Sequence, residues 1–428
     1  MADSITIRPS GPINAAVRPP GSKSITNRAL VCAALAEGHS TLTGVLDSED
    51  TQVMLAALRR LGLEIEFDSA SATARVTGSG GDYPHRDVDL FVANSGTTMR
   101  FLTAALTVGN GRYRLSGIAR MHQRPIRDLV DALRSLGATL RYAEQEGYPP
   151  LEILATGLVG GTTRIRGDVS SQFLSGLLMA SPCARGTVEI EVEGPLVSRP
   201  YVDMTLSVMR AFGVDVDHHE PSRYLVPAPT KYHGTDYQIE PDASAASYFW
   251  AAAAITGGSV TVHGLGPNAL QGDVAFCDCL EKMGCIVQRA ADSITVIGRP
   301  LNGIDVNMNA ISDTVQTLAA VALFASGPTT IRGVAHIRFK ETDRIGDLAR
   351  ELCRLGAEVT QFDDGLRITP RPLHAAEIET YNDHRMAMSL ALVGLRVPNV
   401  RIRDPQCTRK TYPRFFDDLQ QLCAPDRP

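Results

Sequence analysis

The chain has 428 residues, which is more than one hydrophobic core usually holds, so two domains are expected. Hydrophobic residues make up 44% of the chain and charged residues 21%, which is ordinary for a globular protein. The net charge of -5 argues against a general nucleic-acid binder, so cations that bind anionic ligands must be gathered locally.

The start of the chain and its apolar stretches carry no targeting or membrane signal. Residues 1–8 lack the basic start and apolar run of a signal peptide, and stretches such as 248–255 are too short to span a bilayer. The eight cysteines are scattered, and no pair has the spacing of a zinc site. We therefore expect a cytoplasmic protein with reduced cysteines, no metal, and neither membrane nor nucleic-acid partners.

One pattern recurs six times: a polar cluster, an apolar helix of small residues, a turn bounded by Gly, and a strand rich in Val, Ile, Thr and Leu. The period of roughly 70 residues is longer than that of solenoid repeats. The apolar helices are predicted to begin near Leu30, Phe101, Phe173, Phe249, Leu318 and Met388.

A second helix closes most of these repeats. Each has helical apolar spacing and ends at a glycine, which adopts the left-handed cap without penalty. These glycines are Gly62, Gly137, Gly213, Gly284 and Gly356. The pattern predicts an α/β chain of six similar repeats, not a single doubly wound sheet.

The first helix of each repeat has few charges and is expected to be buried, with sheets packed around it. The polar clusters fall where these helices begin. Free amide donors and the helix dipole make such ends natural anion sites. If several of them point at one cleft, that cleft attracts phosphate and carboxylate groups.

In the first half of the chain, the clusters combine cations with small polar residues. Lys23, Ser24 and Arg28 follow a Pro-Gly turn without the spacing of a Walker A loop; a capped helix with solvated cations is the alternative. Gly96 would let a ligand approach the backbone, although a plain N-cap explains its cluster equally well. Arg124 precedes a proline and is expected on an extended loop, where a surface role is the alternative.

Two further clusters suit a ligand with several hydroxyl groups. Ser170, Ser171 and Gln172 open one helix, and Ser198 and Tyr201 open another. Helix capping explains either cluster nearly as well.

In the second half, the clusters are more strongly charged. Asp313 precedes an apolar helix, with an N-cap as its default interpretation, and residues 340–344 carry four charges that a solvated face would also explain. Arg385 and its neighbouring His enter a helix that should be buried, where an unpaired charge is costly. Lys410 lies in a basic loop near the C-terminus.

Together these clusters resemble the 5-enolpyruvylshikimate-3-phosphate synthase family over nearly the whole chain. The motifs that carry the resemblance are Gly-Ser-Lys-Ser-Ile-Thr-Asn-Arg28, Asn-Ser-Gly-Thr-Thr-Met-Arg100, Arg124-Pro-Ile, Ser-Ser-Gln172, Lys-Glu-Thr-Asp-Arg344 and Asn-Asp-His-Arg385. The resemblance implies a two-domain inside-out α/β barrel of six βαβαββ repeats, three per domain, that closes on its substrates. The implied domains are residues 21–240, and residues 1–20 together with 241–428.

The resemblance also implies the reaction and the site. The enolpyruvyl group of phosphoenolpyruvate moves to the 5-hydroxyl of shikimate 3-phosphate by addition and elimination, without cofactor, metal or covalent enzyme intermediate. Residues expected to bind shikimate 3-phosphate are Lys23, Ser24, Arg28, Ser170, Ser171, Gln172, Ser198, Tyr201, Asp313, His336 and Lys340. Those expected to bind phosphoenolpyruvate are Lys23, Gly96, Arg124, Gln172, Arg344, Arg385 and Lys410.

Asp313 resembles the proton acceptor of the family and Glu341 its proton donor, with Lys23 as a third catalytic residue. Lys340 and Arg344 would favour an ionised Glu341, so its surroundings must oppose them. Two positions depart from many relatives, because His336 replaces an Asn and Phe101 replaces a Pro. Gly96 resembles the class inhibited by glyphosate, and a monomer is the family expectation.

Two alternatives come from the same residues. The enolpyruvyl transferases that act on UDP-N-acetylglucosamine share the fold, but they carry a Cys in the loop equivalent to residues 120–125, where this chain has none. The second alternative is a non-catalytic paralogue that only binds anions. The intact Lys23, Asp313 and Glu341 argue against it.

Overall fold

The computed structural model describes residues 3–220 and 222–423. None of the helices in these two ranges combines the length and the apolar character that a membrane crossing requires. The α-helices are α1 (Lys23–Leu35), α2 (Glu49–Arg60), α3 (Gly96–Leu106), α4 (Arg127–Ser135), α5 (Ser171–Ala180), α6 (Pro200–Ala211), α7 (Ala243–Thr256), α8 (Phe276–Lys282), α9 (Val315–Ala322), α10 (Gly346–Arg354), α11 (His384–Ala391) and α12 (Phe415–Leu422).

Short 3-10 segments connect several of these helices; they are Met121–Gln123, Ser181–Cys183, Gly272–Ala275, Asn309–Thr314, Ala335–Phe339, Leu392–Leu395 and Pro405–Lys410. The strands are β1 (Ser4–Thr6), β2 (Asn14–Val17), β3 (Ala36–Thr43), β4 (Ile65–Asp68), β5 (Thr73–Ser79), β6 (Asp87–Phe91), β7 (Asn110–Ser116), β8 (Thr139–Tyr142), β9 (Leu151–Thr156), β10 (Gly161–Arg166), β11 (Val188–Glu193), β12 (Asp217–Glu220), β13 (Arg223–Val226), β14 (Tyr232–His233), β15 (Asp236–Gln238), β16 (Ser259–His263), β17 (Ile286–Ala290), β18 (Ser293–Ile297), β19 (Asp305–Asn307), β20 (Thr329–Arg332), β21 (Glu358–Phe362), β22 (Gly365–Thr369), β23 (Glu377–Ile378) and β24 (Arg401–Arg403).

The chain divides into two compact units by its contacts. The first unit is Gly21–Ile239, and the second joins residues 3–20 to residues 240–423. The first unit holds the sheets β14-β3-β5-β4, β6-β7-β9-β8 and β10-β11-β13-β12. The second unit holds the sheets β17-β18-β16-β2, β19-β20-β22-β21 and β1-β24-β23.

Five of these six sheets share one topology, which is clearest in the repeat from β6 to β9. Strand β6 is parallel to β7, β7 is antiparallel to β9, and β9 is antiparallel to β8. Helix α3 connects β6 to β7, and α4 connects β7 to β8, which gives the order βαβαββ. The repeats from β10 to β13 and from β19 to β22 have the same order and pairing. This confirms the α/β fold class built from βαβαββ repeats.

The other three repeats are completed by strands that are distant in sequence. Strand β2 pairs with β16 in the second unit, although the whole first unit lies between them in the chain. Strand β14 pairs in parallel with β3 from the opposite end of the first unit. The last repeat is shortened to β23, α11 and β24, and it takes β1 from the start of the chain.

The first helix of each repeat is buried, as its composition predicts. Every residue of α3, α7 and α11 is buried, and α1 is buried from Ile25 onward. The sequence pattern predicted the beginnings of these helices too late. The smallest error is two residues, for α5, which begins at Ser171, and the largest is seven, for α1, which begins at Lys23. The reason is that the polar clusters form the first turn of each helix, so the apolar run alone underestimates its length.

Polar contacts between the buried helices explain how they tolerate small polar residues. In the first unit, Asn27 Nδ2 donates to Thr97 Oγ1 over 2.7 Å. In the second unit, the Ser247 and Thr317 hydroxyls are 3.1 Å apart, and Thr317 is 3.2 Å from Ser389. Buried hydroxyls that pair in this way avoid the cost of desolvation without a partner.

The predicted glycine ends of the second helices are confirmed. Gly62, Gly137 and Gly213 have φ of 92°, 93° and 88°, and Gly284 and Gly356 have φ of 111° and 108°. These left-handed conformations end the helices and direct the chain into the next strand. All eight cysteines lie in the described ranges and are unpaired.

Candidate functional site

The predicted site residues are distributed over both units. The first unit contains Lys23, Ser24, Arg28, Gly96, Arg124, Ser170, Ser171, Gln172, Ser198 and Tyr201; the second contains Asp313, His336, Lys340, Glu341, Arg344, Arg385 and Lys410.

Lys23 and Ser24 form the first turn of α1. Ser22 is the N-cap, and its hydroxyl accepts from the Ile25 amide. Lys23 Nζ lies 3.6 Å from Asp50 Oδ2, and the Asp50 side chain is only 4% exposed. Asp50 was not among the predicted site residues, because a carboxylate in the first turn of α2 looks like an ordinary helix-dipole partner. The pair holds a cation at the start of a buried helix.

Arg28 lies one turn further along α1 and is fully enclosed. Its guanidinium donates to Thr205 Oγ1 over 2.7 Å, to the Ser24 carbonyl over 3.0 Å and to the Tyr201 carbonyl over 3.1 Å. It also faces the Phe101 ring, with Cζ 5.1 Å from the ring centroid. Burial lowers the pKa of Arg28 to about 10, so the side chain remains cationic at neutral pH. Arg28 therefore links α1 to α6 in addition to any contact with substrate.

Gly96 begins α3 and lies directly against Arg124. Arg124 is 3% exposed, and its Nη1 donates to the Asn94 carbonyl over 3.3 Å. A Cβ atom placed on Gly96 would lie 2.9 Å from Arg124 Cζ and 3.0 Å from its Nη1. The glycine thus leaves room for the guanidinium beside a helix N-terminus.

Gly96→Ala should raise the KM for phosphoenolpyruvate by about tenfold or more, because overpacking by 1–3 kcal/mol displaces Arg124. The KM for shikimate 3-phosphate should change less. Steady-state kinetics with each substrate varied in turn measures both. Gly327→Ala is the matched control, since a Cβ there meets nothing within 4 Å. An unchanged phosphoenolpyruvate KM in Gly96→Ala would contradict the predicted role of this contact.

The starts of α5 and α6 carry the small polar residues. Ser170 is the N-cap of α5, and its hydroxyl accepts from the Gln172 amide over 3.3 Å, as the capping alternative requires. Ser198 precedes α6 with φ of 52° and is 3% exposed. The Tyr201 ring centroid lies 5.9 Å from Arg28 Cζ. Capping by Ser170 uses one lone pair of a hydroxyl that can still donate to a ligand.

In the second unit, Arg344 is the centre of a buried charge cluster. Its Nε donates to Asp383 Oδ2 over 2.7 Å, and its Nη2 to Glu341 Oε2 over 2.9 Å. Its Nη1 lies 3.4 Å from Asp313 Oδ1. Burial opposes the charge of Arg344, but the Asp383, Glu341 and Asp313 carboxylates outweigh it and raise the pKa of the guanidinium above its ordinary value.

Two more cations complete this charge cluster. Arg385 Nη2 donates to Asp313 Oδ2 over 2.8 Å, and Lys410 Nζ donates to Glu341 Oε1 over 2.7 Å. None of the side chains in these pairs is more than 13% exposed. The structure thus brings together Asp313, Glu341, Arg344, Arg385 and Lys410, which come from four separate segments of the sequence.

Neither a helix cap nor a solvated face describes Asp313, Glu341 and Arg344. The N-cap of α9 is Thr314, without a side-chain cap hydrogen bond, so Asp313 does not act as the cap. Glu341 and Arg344 are 9% and 2% exposed in their side chains, which is inconsistent with a solvated face for these two residues. Their charges are directed inward and paired.

Asp383 was missed by sequence reasoning, although it lies inside the Asn-Asp-His-Arg motif. It is completely buried, caps α11 by accepting from the Arg385 amide over 2.9 Å, and binds Arg344 through both oxygens. An acidic residue directly before a buried helix that contains Arg is the signal that could have identified it.

Two buried histidines lie beside the charge cluster. Burial lowers the pKa of His336 to about 4, and the charge of Lys340 contributes, while Asp313 acts in the opposite direction. Burial also lowers the pKa of His384 well below its ordinary value, with Arg385 as the next cause. Both imidazoles are therefore neutral at pH 7, and His336 can offer a substrate a neutral donor or acceptor.

Acidification should destabilise the second unit through His336. Its folded pKa lies below the unfolded value of about 6.5, so the unfolded chain binds more protons as the pH falls from about 6.5 to 4. The free energy of unfolding should fall by roughly 2 kcal/mol at pH 5, and no such decrease is expected above pH 7. Urea unfolding followed by the fluorescence of Trp250, the only tryptophan, measures it at pH 7 and 5. His336→Asn should reduce the pH 5 loss; equal losses in both proteins would contradict this prediction.

Comparisons with known proteins identify the family of this chain. The EPSP synthase (3-phosphoshikimate 1-carboxyvinyltransferase) family matches residues 7–419. A 3-phosphoshikimate 1-carboxyvinyltransferase from Sulfurovum sp. is 48% identical over 425 residues, covering 99% of this chain and 100% of that relative. One from Shewanella sp. (strain ANA-3) is 48% identical over 423 residues, covering 98% and 99%.

Solved structures with the same fold include an EPSP synthase from Acinetobacter baumannii, with a TM-score of 0.83, 28% identity and 98% of both chains covered. The enolpyruvyl transferase NikO from Streptomyces tendae, at 22% identity, has a TM-score of 0.79 over 99% of this chain and 98% of its own. This second likeness bears on the fold alone. The extent of the family match and the identity to relatives of full length show that the chain belongs to the EPSP synthase family.

Proposed function

We propose that this protein transfers the enolpyruvyl group of phosphoenolpyruvate to the 5-hydroxyl of shikimate 3-phosphate and releases phosphate. The observation that carries the proposal is the charge cluster of the second unit, in which Arg344, Arg385 and Lys410 lie against Asp313 and Glu341. Three cations suit the carboxylate and phosphate of phosphoenolpyruvate, and the two carboxylates suit the proton transfers.

In the proposed reaction, Asp313 accepts the proton of the attacking hydroxyl. The hydroxyl oxygen bonds to the middle carbon of phosphoenolpyruvate, while the methylene carbon receives a proton from Glu341. In the elimination step, the Glu341 carboxylate takes back a methyl proton to restore the double bond, and phosphate leaves with the proton that Asp313 had accepted. Buried cations stabilise the anionic groups throughout, because preorganised charges act strongly where water is excluded.

Glu341 poses a specific requirement, because it accepts from Lys410 and from Arg344 over 2.7 Å and 2.9 Å. To deliver a proton, its carboxyl group must first be protonated, which both cations oppose. Phosphoenolpyruvate offers competing anionic partners to the same cations. We propose that substrate binding draws Lys410 and Arg344 toward the phosphate and carboxylate, which allows Glu341 to hold a proton.

The two predicted domains, called lobes here, are proposed to have different roles in the reaction. Residues 21–240 form a lobe that mainly binds shikimate 3-phosphate, through α1, α5 and α6. Residues 1–20 with 241–428 form the lobe that carries the acid, the base and most phosphoenolpyruvate cations. His336 and Lys340 belong to the second lobe and are proposed to contact shikimate 3-phosphate, although His336 replaces the Asn of many relatives.

The test is phosphate release by the purified full chain with both substrates. Release is expected only when phosphoenolpyruvate and shikimate 3-phosphate are both present. Release with phosphoenolpyruvate alone would contradict the proposal. Turnover with UDP-N-acetylglucosamine instead would favour the other enolpyruvyl transferase activity. Calorimetric binding of both substrates without release would indicate a non-catalytic paralogue.

Glyphosate is proposed as an inhibitor, because Gly96 leaves Arg124 undisplaced beside the proposed phosphoenolpyruvate site. Inhibition should compete with phosphoenolpyruvate, and a lack of such competition would contradict this point. The protein is proposed to act as a monomer, which sedimentation at working concentrations would test.

A further inference from the structure

The turn that precedes α11 has a strained backbone. Tyr381 and Asn382 have φ of 54° and 53°, so two consecutive non-glycine residues adopt the left-handed conformation. Such residues persist only where the surrounding structure holds them. Asp383 and Arg385 follow directly, so the direction of this turn determines where both side chains lie.

A buried carboxylate supports the turn. Glu351 in α10 is 0% exposed, and its Oε1 accepts from the Tyr381 hydroxyl over 2.7 Å. Its Oε2 accepts from the Glu379 amide over 3.1 Å and from Arg354 Nη1 over 3.0 Å. The Tyr381 hydroxyl also accepts from Arg350 Nη1 over 3.0 Å. Glu351 thus holds both the side chain of the turn and the strand end that leads into it.

The same two segments are joined a second time within the charge cluster. Arg344, just before α10, binds Asp383, just after the turn, through two hydrogen bonds of 2.7 Å and 3.1 Å. Glu351 lies two turns along α10 and holds the other side of the turn. With one tie at each end, the position of α10 fixes where the Asp383 carboxylate lies.

We propose that Glu351 and Tyr381 are positioning residues for the transfer reaction, which hold the 381–382 turn so that Asp383 meets Arg344 and Arg385 reaches Asp313. This inference rests on the proposed function for its kinetic consequence. Neither residue belongs to the predicted site, and neither is placed against a substrate.

Tyr381→Phe tests the proposal, because it removes the hydroxyl and keeps the ring that packs against Arg350. The loss of a hydrogen bond to a charged group should lower kcat/KM for phosphoenolpyruvate about tenfold. The dissociation constant of shikimate 3-phosphate, measured by calorimetry, should change less, because most of its proposed ligands lie in the first unit. Tyr83→Phe is the matched control, since its buried hydroxyl donates to the Ala105 carbonyl in the first unit.

A double-mutant cycle with Asp383→Asn separates positioning from a merely structural role. If Tyr381 acts through Asp383, Tyr381→Phe should add less than about twofold in the Asp383→Asn background. An undiminished tenfold effect there, or a lower melting temperature with unchanged kcat/KM in Tyr381→Phe, would overturn the proposal. Absence of turnover in the wild type would reject the proposed function instead. The same four proteins would then be compared by their free energies of unfolding. Additive effects of Tyr381→Phe and Asp383→Asn would show that Tyr381 does not position Asp383.

Discussion

Asp313→Asn should lower kcat for phosphate release about a thousandfold, within the range that a positioned general base contributes. The amide has nearly the same shape but cannot accept the hydroxyl proton. Asp313 also accepts from Arg385 over 2.8 Å, and the neutral amide frees that guanidinium for the substrate. The KM for phosphoenolpyruvate should therefore stay constant or fall, so that the loss appears in kcat.

The matched control is Asp305→Asn, the same change at an exposed ion pair of the second unit. Asp305 Oδ1 lies 3.5 Å from Arg332 Nε, and its side chain is 63% exposed. Its kcat should equal that of the wild type. A decrease of less than about tenfold in Asp313→Asn would show that another group accepts the proton, since catalysis by a general base is worth at least a hundredfold.

The repeat architecture could be predicted from the sequence because each local signal is strong. Glycines such as Gly62 and Gly137 end amphipathic helices, and the buried helices can be recognised because they carry few charges. The family resemblance assigned residues 1–20 to the second domain, but the sequence pattern alone does not predict that β2 pairs with β16 or β1 with β24. These short strands pair with strands that lie hundreds of residues away in the sequence, and no local sequence pattern indicates which distant strand will pair.

The candidate site, too, could be predicted from the sequence only in part. Sequence reasoning identified Arg385 as an unusual cation, because a charge at a buried helix start needs a partner, whereas Arg344 was assigned to the site through the family resemblance. Their partners depend on tertiary packing, and so Asp383 and Asp50 were overlooked although both are buried carboxylates. Arg28 shows the converse, because its internal hydrogen bonds to α6 follow from packing that the motif does not reveal.

Arg344→Met should lower the free energy of unfolding of the second unit by roughly 3–5 kcal/mol, the usual loss when one partner of a buried ion pair is removed. Methionine fills the space but leaves the buried Asp383 carboxylate without its guanidinium partner. Urea unfolding followed by Trp250, which lies in α7 of the second unit, reports the change directly.

Arg371→Met is the control, because Arg371 and Glu358 form an ion pair of 2.6 Å with side chains 57% and 60% exposed. Exposed pairs contribute about 0–1 kcal/mol, so this variant should unfold almost as the wild type does. Equal stability of the two variants would mean that solvent or rearrangement satisfies Asp383 without Arg344.

Arg344→Lys distinguishes the charge from its geometry. Lysine keeps the positive charge, but a single ammonium group cannot reproduce the planar fork that reaches both Asp383 and Glu341. We therefore expect Arg344→Lys to unfold at a stability between Arg344→Met and the wild type, yet to retain little phosphate release. Stability and activity both close to the wild type would show that a positive charge alone suffices at position 344, and that the planar guanidinium is not required.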